Sequence, residues 1–508
     1  MLRADAFGAI ALYLLAATGA APARAAEPLR VHPENRRVPV FRGRPTLLVG
    51  STEHYGAVLN PDFDHRRYLD TVAAAGLNLI RLFTGAYVEK PGDFGIRFNT
   101  LAPASGRALV PWARSDAPGY RLGGNRFDLD RWDPAYFARL KAVIEEAAQR
   151  GILAEVTLFS AYYGGGWESS PLHPDNNVNG TPRLPRERVQ TKDNEGLLAR
   201  QEALVRKLVG ELAPFDNVYY EIQNEPWADR AEPLDIIHPY LALEDMKDDW
   251  RFWKNKVEGA DVASRAWQAH IAAVVREEER RLGVRHLVAQ NYTNFGYPLR
   301  DVDPAIDVVN FHYAWPQAGR WNLGLGRILN SDETGFAGGS DDTYRRQAWE
   351  FLLAGGTAFD HLDYSFAVGQ EDGTAKNDAP GGGSPALRTQ LGALRRFLEE
   401  LDLVALAPDD AVVRSAPGAH VSAASARKRQ YALYVRGDGD TALSLELPAG
   451  EWRAEWHDPR TGRRLETATF RHDGGGRELK SPKYDGDIAL RLTATGRRRS
   501  EGPLRRPQ

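Results

Sequence analysis

The chain has 508 residues, of which 43% are hydrophobic and 26% are charged, a composition typical of soluble globular proteins. Its formal net charge of -3 gives no reason to expect a nucleic-acid partner. The sequence contains no cysteine, which excludes disulfides, thiolate nucleophiles and thiolate metal ligands. A chain of this length suggests one large domain accompanied by a smaller one.

The first 25 residues predict a cleavable signal peptide. Arg3 supplies a positive start, residues 6–17 form an apolar run, and residues 23–25 match the small-x-small pattern of a cleavage site. The apolar run is too short to span a bilayer, and no later segment is apolar enough to do so. A disordered, alanine-rich start is the alternative, but the export signal fits the pattern better. We therefore expect a secreted or periplasmic protein, whose oligomeric state the sequence does not specify.

From about residue 40 to residue 400, short β-rich apolar runs alternate with amphipathic helices. This order predicts a parallel sheet with crossover helices. The eight predicted strands are residues 45–49, 77–83, 152–159, 217–223, 286–290, 308–312, 327–330 and 357–362. We interpret the segment 26–403 as an α/β domain, a (β/α)8 TIM barrel. An open doubly wound sheet is the alternative, but no glycine-rich dinucleotide-binding pattern follows the first strand.

Several helices between the strands carry recognisable ends. One helix opens with Asp133-Pro134, an N-cap followed by proline at the first helical position, and Gly151 ends it. Another opens with Ser384-Pro385, and a third is predicted over residues 194–212 with leucines on one face. The helix after the sixth strand has the weakest pattern.

Three long connections are predicted on the face where the strands end. They cover residues 84–132, 160–193 and 226–261, and loops of this length inside a compact domain are usually functional. Each contains several aromatic residues. These rings either stack on a ligand or pack small cores within their own loops, and the sequence favours neither interpretation.

After residue 403 the pattern changes to short alternating segments separated by turns. This predicts a small antiparallel β-sandwich over residues 404–495, followed by a disordered basic tail over 496–508. Trp452 and Trp456 alternate with charged residues and therefore share one face of a strand. That face is either the core of the sandwich or a binding surface.

Two glutamates stand where predicted strands end. Glu225 closes the run Tyr219-Tyr220-Glu221-Ile222-Gln223-Asn224-Glu225, and Pro226 after it cannot donate a strand hydrogen bond. Glu333 closes the run that starts at Arg327, with Gly335 close behind. The fourth and seventh strands of a closed barrel would therefore each present a carboxylate at the mouth, where barrel active sites form.

With these motifs the sequence resembles the clan of (β/α)8 retaining glycosidases, most closely glycoside hydrolase family 5, over about residues 40–400. In that clan the acid/base glutamate follows an asparagine at the fourth strand, and the nucleophile ends the seventh. The resemblance implies that Glu225 is the general acid/base and Glu333 the nucleophile. It is also consistent with an outlying family of the clan.

Further positions agree with the resemblance. Arg81 on the second strand and His312-Tyr313 at the sixth match positions that family 5 enzymes carry. The resemblance implies that Arg81 and Tyr313 position the nucleophile and that Asn224 contacts the sugar 2-hydroxyl. His312 is either a ligand contact or a histidine satisfied by its neighbours.

Two positions depart from the family pattern. Phe159-Ser160 stands at the end of the third strand, where the family often has histidine. Residues 361–364 (His-Leu-Asp-Tyr) end the eighth strand, where it usually has tryptophan, so we expect Tyr364 to serve as the sugar platform instead.

Other residues are candidates for substrate contacts. Glu53 and His54 end the first strand and either bind substrate hydroxyls or form a structural hydrogen-bond network. Trp167 lies in the second long loop and is a candidate for stacking on a sugar ring. Asn291, after the fifth strand, is a weaker candidate of the same kind.

Two more acidic residues near the predicted site are expected to be structural. Glu221 should lie inside the barrel, paired with a partner. Asp332 should orient the loop around Glu333.

The expected function is retaining hydrolysis of a β-linked glycan or oligosaccharide, without cofactor or metal. Retaining enzymes hold their two carboxyl groups about 5–5.5 Å apart so that one can attack the anomeric carbon. The sequence has no Gly-x-Ser-x-Gly elbow, His-Glu-x-x-His helix or phosphate-binding loop. The alternatives are a transglycosylase that uses the same two glutamates and a non-catalytic exported glycan-binding protein.

Overall fold

The computed structural model describes residues 28–228, 234–235, 256–257, 259–296 and 298–496. The predicted signal peptide lies outside these residues, as does the predicted basic tail beyond residue 496.

Eight parallel strands form a closed barrel in which neighbours along the chain are neighbours in space. The strands are Leu48–Thr52, Leu79–Phe83, Leu153–Ser160, Val218–Asn224, Val288–Asn294, Val308–His312, Ile328–Glu333 and Ala358–Leu362. The first strand pairs with the eighth, and the fourth pairs with the fifth, which closes the ring. The predicted (β/α)8 barrel is confirmed.

The first strand begins three residues later than the sequence pattern predicted. Arg44 and Pro45 pair instead with Pro39–Phe41 in a small antiparallel hairpin. Proline has no N–H to give to a central barrel strand, so the strand starts after it. The later start also moves the end of the strand to Thr52, next to Glu53 and His54.

Helices connect the strands on the outside of the barrel. They are His65–Ala74, Pro134–Gln149, Leu197–Leu212, Val262–Leu282, Pro316–Trp321, Asp341–Leu353 and Pro385–Glu399. Asp133 caps the second helix and Ser384 the last, as predicted, each through a side-chain oxygen that accepts a backbone N–H. Pro316–Trp321, after the sixth strand, is only six residues long, which explains its weak pattern. None of the described helices combines the length and hydrophobicity needed to cross a membrane.

The closed end of the barrel is filled by one apolar layer. Its buried side chains come from the start of each strand and from Leu29: Leu48, Leu79, Leu153, Tyr219, Leu287, Ala289, Val308, Ile328 and Ala358. The buried carboxylates of Glu155, Glu221 and Asp332 follow this layer along their strands, towards the open end where the site lies.

The second unit is a sandwich of two antiparallel sheets. The larger sheet contains Leu406–Pro408, His420–Ala426, Gln430–Arg436, Asp487–Ala494, Gly450–His457 and Arg464–His472, and the smaller contains Val413–Ser415, Ala442–Leu447 and Gly475–Lys480. Trp452 and Trp456 are buried in the core between the sheets. They form core, so of the two interpretations the binding surface is wrong.

The sandwich packs against the outer helices of the barrel. Trp349 stacks on Tyr434 with ring centroids 5.1 Å apart, and the buried guanidinium of Arg345 pairs with Asp487 at 2.8 Å. These contacts involve the helix Asp341–Leu353, which follows the strand carrying Glu333. The sandwich thus supports the barrel from outside.

Candidate active site

A cavity of about 810 Å³ opens at the carboxyl ends of the barrel strands. Glu225 follows the fourth strand and Glu333 ends the seventh, and both line the cavity. The other lining residues include His54, Tyr55, Phe83, Tyr87, Glu89, Phe94, Leu101, Ser160, Tyr163, Asn224, Trp227, Tyr313, Phe336, Leu362 and Asp378. The two glutamates that the sequence places 108 positions apart thus meet in one pocket.

The two carboxylates face each other across His312. One oxygen of each and one ring nitrogen of His312 all lie within 4.8 Å of one another. His312 Nδ1 is 2.8 Å from Glu225 Oε1 and 3.7 Å from Glu333 Oε1. This separation is close to the one at which a single anomeric carbon can contact both carboxyl groups in turn.

Three donors hold the carboxylate of Glu333. Tyr313 donates its hydroxyl to Oε1 at 2.6 Å, Tyr55 donates to Oε2 at 2.7 Å, and Arg81 Nη1 donates to Oε2 at 3.2 Å. All three side chains are buried, so these hydrogen bonds are shielded from water. Charged-group hydrogen bonds of this kind favour an ionised carboxylate with a fixed orientation.

Arg81 is a buried cation that links most of the acidic groups at the site. Its guanidinium lies 3.1 Å from Asp332 and 3.2 Å, through Nε, from Glu221, and Nη2 donates to Asn224 Oδ1 at 2.8 Å. Burial lowers the pKa of Arg81, but the charges of Asp332 and Glu221 raise it far above its ordinary range. Arg81 is fully buried, donates to Glu333 and does not line the cavity, so it lies where it can position Glu333 and not where it can contact a substrate.

Glu225 has a different environment. Its Oε1 lies against His312, and its Oε2 accepts a hydrogen bond from Tyr163 of the second long loop. Asn224, before it, donates through Nδ2 to Ser160 Oγ at 3.1 Å and to Tyr163 at 3.3 Å. No arginine or lysine hydrogen bond to Glu225 is present among the described residues, so its polar side-chain partners are His312 and Tyr163.

His312 is buried between carboxylates and does not line the cavity. Its Nε2 lies 3.3 Å from Asp332. Burial lowers the pKa of His312, but the charge of Glu333 and the hydrogen bonds to Asp332 and Glu225 raise it to about 10. Of the two interpretations offered by the sequence, a direct ligand contact is wrong and a histidine satisfied by its neighbours is right.

We expect a stability difference that depends on pH when His312 is replaced by glutamine. Because the pKa of His312 is raised from 6.5 to about 10 in the folded protein, protonation stabilises the fold fully below about pH 6.5 and this contribution is lost as pH rises towards 10. The free energy of unfolding, measured by urea denaturation, should therefore fall more steeply over that range for the wild type than for His312→Gln.

His361 provides the matched control. It is as buried as His312, but burial lowers its pKa to about 4, so its ring is neutral throughout the upper part of this range, folded or unfolded. His361→Gln should keep the wild-type slope above about pH 7.5, one unit above the ordinary histidine pKa. If the free energy of unfolding changed with pH in the same way for the wild type and His312→Gln, the raised pKa of His312 would be contradicted.

Three residues at the catalytic centre have a left-handed backbone. The φ angles of Tyr55, Glu225 and Tyr313 are 56°, 45° and 54°. Each is held by a hydrogen bond of its own peptide group: Phe83 N donates to Tyr55 O, Ala228 N to Glu225 O, and Tyr313 N to Glu333 O. Non-glycine residues pay about 1–2 kcal/mol for this conformation, and such outliers cluster at functional sites.

The sequence and the structure were compared with those of known proteins. No protein-family model matches the sequence, and a comparison with curated proteins finds no match. Among solved structures, a protein described as a glycoside hydrolase aligns over 92% of this chain and 97% of its own, with 13% identity and a TM-score of 0.58. A glycoside hydrolase family 5 protein from Bacteroides vulgatus ATCC 8482 aligns over 92% and 93%, with 13% identity and a TM-score of 0.57.

The chain therefore shares its overall fold with solved structures of glycoside hydrolases. Another protein from the same bacterium gives a TM-score of 0.60 at 16% identity, over 94% of this chain and 83% of its own. The resemblance identified from the sequence is confirmed for the fold. The lack of a matching family model agrees with an outlying family.

Besides Arg81 and His312, three further predicted substrate contacts do not line the cavity. Glu53 is fully buried, and its carboxylate accepts hydrogen bonds from Gly56 N, Ala57 N and the Thr100 hydroxyl. It therefore fixes the turn after the first strand, and the structural alternative is right.

The other two are aromatic. Trp167 is buried in its own loop, where Nε1 donates to Leu184 O at 2.8 Å. Tyr364 is buried behind the wall, with its ring against those of His54 and Phe336, so it is not an exposed platform. The expectations for both are wrong, because their rings are covered by neighbouring side chains.

The remaining predictions agree with the positions of the side chains. Asn224, Tyr313 and His54 line the cavity. Glu221 lies inside the barrel and accepts hydrogen bonds from Thr157 at 2.7 Å and from Asn310 at 3.0 Å, besides Arg81. Asn291 also donates to Glu221 and therefore belongs to the barrel interior.

The sequence analysis did not predict that Tyr55 donates a hydrogen bond to Glu333 and Tyr163 one to Glu225. Both tyrosines stood in segments already singled out, but nothing in the sequence assigned one to each catalytic carboxylate. It also missed Glu89, which lines the cavity and accepts hydrogen bonds from Tyr87 and Asn99, with His54 Nε2 at 3.3 Å. All these side chains come from strand ends or loops, and only the folded loops bring them together.

Two groups of side chains at the site have a spacing that a metal ion could bridge. They are Glu221, His312 and Asp332, and Glu225, His312 and Glu333. The guanidinium of Arg81 contacts both carboxylates of the first group and would repel a second cation there. In the second group, the oxygens of Glu333 already accept hydrogen bonds from tyrosine hydroxyls and Arg81.

Proposed function

We propose that the protein is a retaining glycoside hydrolase that cleaves a β-linked glycan or oligosaccharide. The observation that carries this proposal is the position of the Glu225 and Glu333 carboxylates, within 4.8 Å of each other in one cavity. Inverting enzymes separate their carboxyl groups by about 6.5–9.5 Å to admit a water molecule, and the close approach of one oxygen of Glu225 to one of Glu333 favours retention instead. The shared fold with glycoside hydrolases supports the same reaction class.

In the first step, Glu333 attacks the anomeric carbon and forms an ester with the sugar. The bond from that carbon to the leaving oxygen breaks, and Glu225 gives its proton to this oxygen. Tyr55, Tyr313 and Arg81 hold Glu333 ionised and aimed for the attack. No cofactor is needed.

The proton for this step is held between Glu225 and His312. Their hydrogen bond, 2.8 Å long, carries a single proton that can lie on either atom. When the proton is on Glu225, the neutral imidazole donates through Nε2 to Asp332. Glu225 is then the acid that faces the leaving group.

In the second step, Glu225 acts as base. The negative charge of Glu333 disappears when the ester forms, which favours an ionised Glu225. A water molecule loses a proton to Glu225 and attacks the anomeric carbon, which releases Glu333 and restores the starting charges. Two inversions at the same carbon give net retention.

Export is a further proposal. It rests on the signal-peptide pattern of residues 1–25, which lie outside the described residues.

The stereochemistry of the product tests the function directly. The full chain should be screened with aryl β-glycosides and β-linked polysaccharides, and the first product followed by ¹H NMR before mutarotation. We expect the β-anomer first. The α-anomer first would establish inversion, and the appearance of longer sugars at high substrate concentration would indicate a transglycosylase. No turnover of any substrate would favour the non-catalytic glycan-binding protein.

A further inference from the structure

A smaller cavity lies next to the main one. It has a volume of about 180 Å³ and is lined by Tyr87, Asp93, Phe94, Tyr163, Gly164 and Gly166. Tyr87, Phe94 and Tyr163 also line the main cavity, so these three aromatic side chains form a shared wall. We call the smaller cavity the side pocket.

Phe94 is the unusual member of this wall. Its side chain is 41% exposed, although a buried phenylalanine would be favoured by about 1.5–3 kcal/mol. Its φ angle is 57°, a left-handed conformation that most non-glycine residues avoid. A strained backbone that presents an apolar ring to water has no benefit for the fold, which makes a functional role the better explanation.

A tight turn holds the ring in place. Gly92 and Gly95, on either side, also have positive φ angles, of 86° and 72°. Gly95 N donates to Gly92 O at 3.1 Å, Ile96 N donates to Asp93 O at 3.1 Å, and the Asp93 side chain accepts from Lys90 N at 2.9 Å. Phe94 is therefore presented by a defined turn at the cavity edge.

The position of the ring relative to the two glutamates identifies the side of the reaction that it serves. Phe94 packs edge-on against Tyr163, with ring centroids 5.3 Å apart and planes at 84°. The Tyr163 hydroxyl donates to Glu225, whereas the partners of Glu333 are Tyr55, Tyr313 and Arg81. Phe94 thus lies on the acid/base side of the site, where the leaving group must be.

We propose that Phe94 and the side pocket bind the sugar ring that leaves in the first step and the sugar that can accept in the second. The assignment of the leaving side rests on the proposed function. An exposed aromatic ring offers a stacking surface for the apolar face of a pyranose, and Asp93 and the backbone of Gly164 lie beside it for the hydroxyl groups. The carboxylate of Asp93 disfavours a sugar that carries a carboxylate or sulfate, so uncharged sugars are the probes.

Sugar binding in the side pocket can be tested separately from the first step. The glycosyl-enzyme is trapped, and the rate at which it is reactivated is then measured. The full chain is treated with 2,4-dinitrophenyl 2-deoxy-2-fluoro-β-glycosides of glucose, mannose and galactose, and the stalled glycosyl-enzyme is then reactivated by water alone or with cellobiose or mannobiose. For Phe94→Ala we expect the ratio of disaccharide-dependent to water-dependent reactivation to fall by about tenfold, the effect of losing one stacking contact.

Phe98 supplies the matched control. It is 38% exposed and four residues away, but it lines neither cavity, and Arg97 covers its ring. Phe98→Ala should keep the wild-type ratio to within about twofold, as expected for a surface substitution. An unchanged ratio in Phe94→Ala, or an equal loss in both variants, would overturn the proposal.

A binding measurement separates this proposal from the proposed function. In the Glu333→Gln background, calorimetric titration with cellobiose and mannobiose should give weaker binding for Phe94→Ala than for Phe98→Ala. If no glycosyl-enzyme is trapped but binding still depends on Phe94, hydrolysis fails and the sugar site stands. If trapping succeeds but neither reactivation nor binding depends on Phe94, the function stands and the sugar site fails. Absence of binding to either disaccharide also overturns the site.

Discussion

Replacement of Glu333 by alanine should reduce turnover of every β-glycoside that the wild type hydrolyses by about 10⁴- to 10⁶-fold, as for other essential nucleophiles. The reason is chemical, because no other described side chain can attack the anomeric carbon from this position. Glu333 is the carboxylate held by three buried donors, whereas Asp332 beside it is fully enclosed by Arg81, His312 and Asn330. Steady-state kinetics with an aryl glycoside measure the loss.

Azide distinguishes a missing nucleophile from a damaged fold. The side chain removed in Glu333→Ala leaves space beside the anomeric carbon, and azide in that space should restore turnover and give the α-glycosyl azide, with inversion. Glu333→Asp keeps the charge but withdraws it by one methylene, and it should remain less impaired than the alanine variant. A loss below about 100-fold in Glu333→Ala, the size of a mere positioning error, would contradict the role of nucleophile.

Replacement of Glu225 by alanine should have an effect that depends on the leaving group. With an unactivated disaccharide, whose leaving oxygen needs a proton, we expect a loss of about 10²- to 10⁴-fold. A 2,4-dinitrophenyl glycoside needs no proton, so its first step should remain fast while the second step, without a base, becomes slow. A burst of dinitrophenol followed by a slow steady state, measured by stopped-flow absorbance, is the expected result.

Azide again provides the diagnostic product. It needs no base, so it should accelerate the second step of Glu225→Ala and yield the β-glycosyl azide. Glu221→Gln is the matched control, since Glu221 lies on the same strand but inside the barrel, where Arg81, Thr157 and Asn310 surround it. That variant should impair both substrates alike. An equal loss for both substrates in Glu225→Ala would show that Glu225 is structural as well.

Much of this fold could be predicted from the sequence, because burial on both faces makes parallel strands continuous apolar runs. All eight barrel strands were located, and Val308–His312 was predicted with the correct ends. Boundaries shifted where another pairing partner competed, as at Pro45, which joins a hairpin. Strands with exposed faces, such as Arg464–His472, were missed because they have no apolar pattern.

The catalytic pair was predictable for a similar reason. A glutamate directly after a central barrel strand must emerge at the mouth, so Glu225 and Glu333 could be placed without any knowledge of the loops. The direction of a side chain beyond a strand depends instead on the turn that follows. Glu53 turns back to its own backbone, whereas Tyr55, two residues on, reaches Glu333 through a left-handed turn. No sequence pattern specifies that turn.

The direction of an aromatic side chain within a long loop cannot be predicted from the sequence either. Trp167 and Tyr163 stand in one loop, four positions apart, yet one is buried beside Leu184 and the other reaches Glu225. Of the two, Trp167 is the one that the sequence analysis names as a candidate sugar contact. The packing of the loop, which involves residues distant in sequence, gives the role to the tyrosine.

The left-handed residues Tyr55, Glu225 and Tyr313 store backbone strain at the catalytic centre. Glycine at any of these positions would relieve about 1–2 kcal/mol of backbone strain, which is substantial beside a net folding free energy of about 5–15 kcal/mol. Each such replacement would also remove a group that makes up the catalytic centre. At Tyr55 and Tyr313 the loss of a buried ring would also leave a cavity, which costs about 3–5 kcal/mol and so outweighs the strain that glycine would relieve. The same packing that aims the catalytic groups therefore keeps the strained backbone in place, and selection for heat resistance alone would preserve both tyrosines.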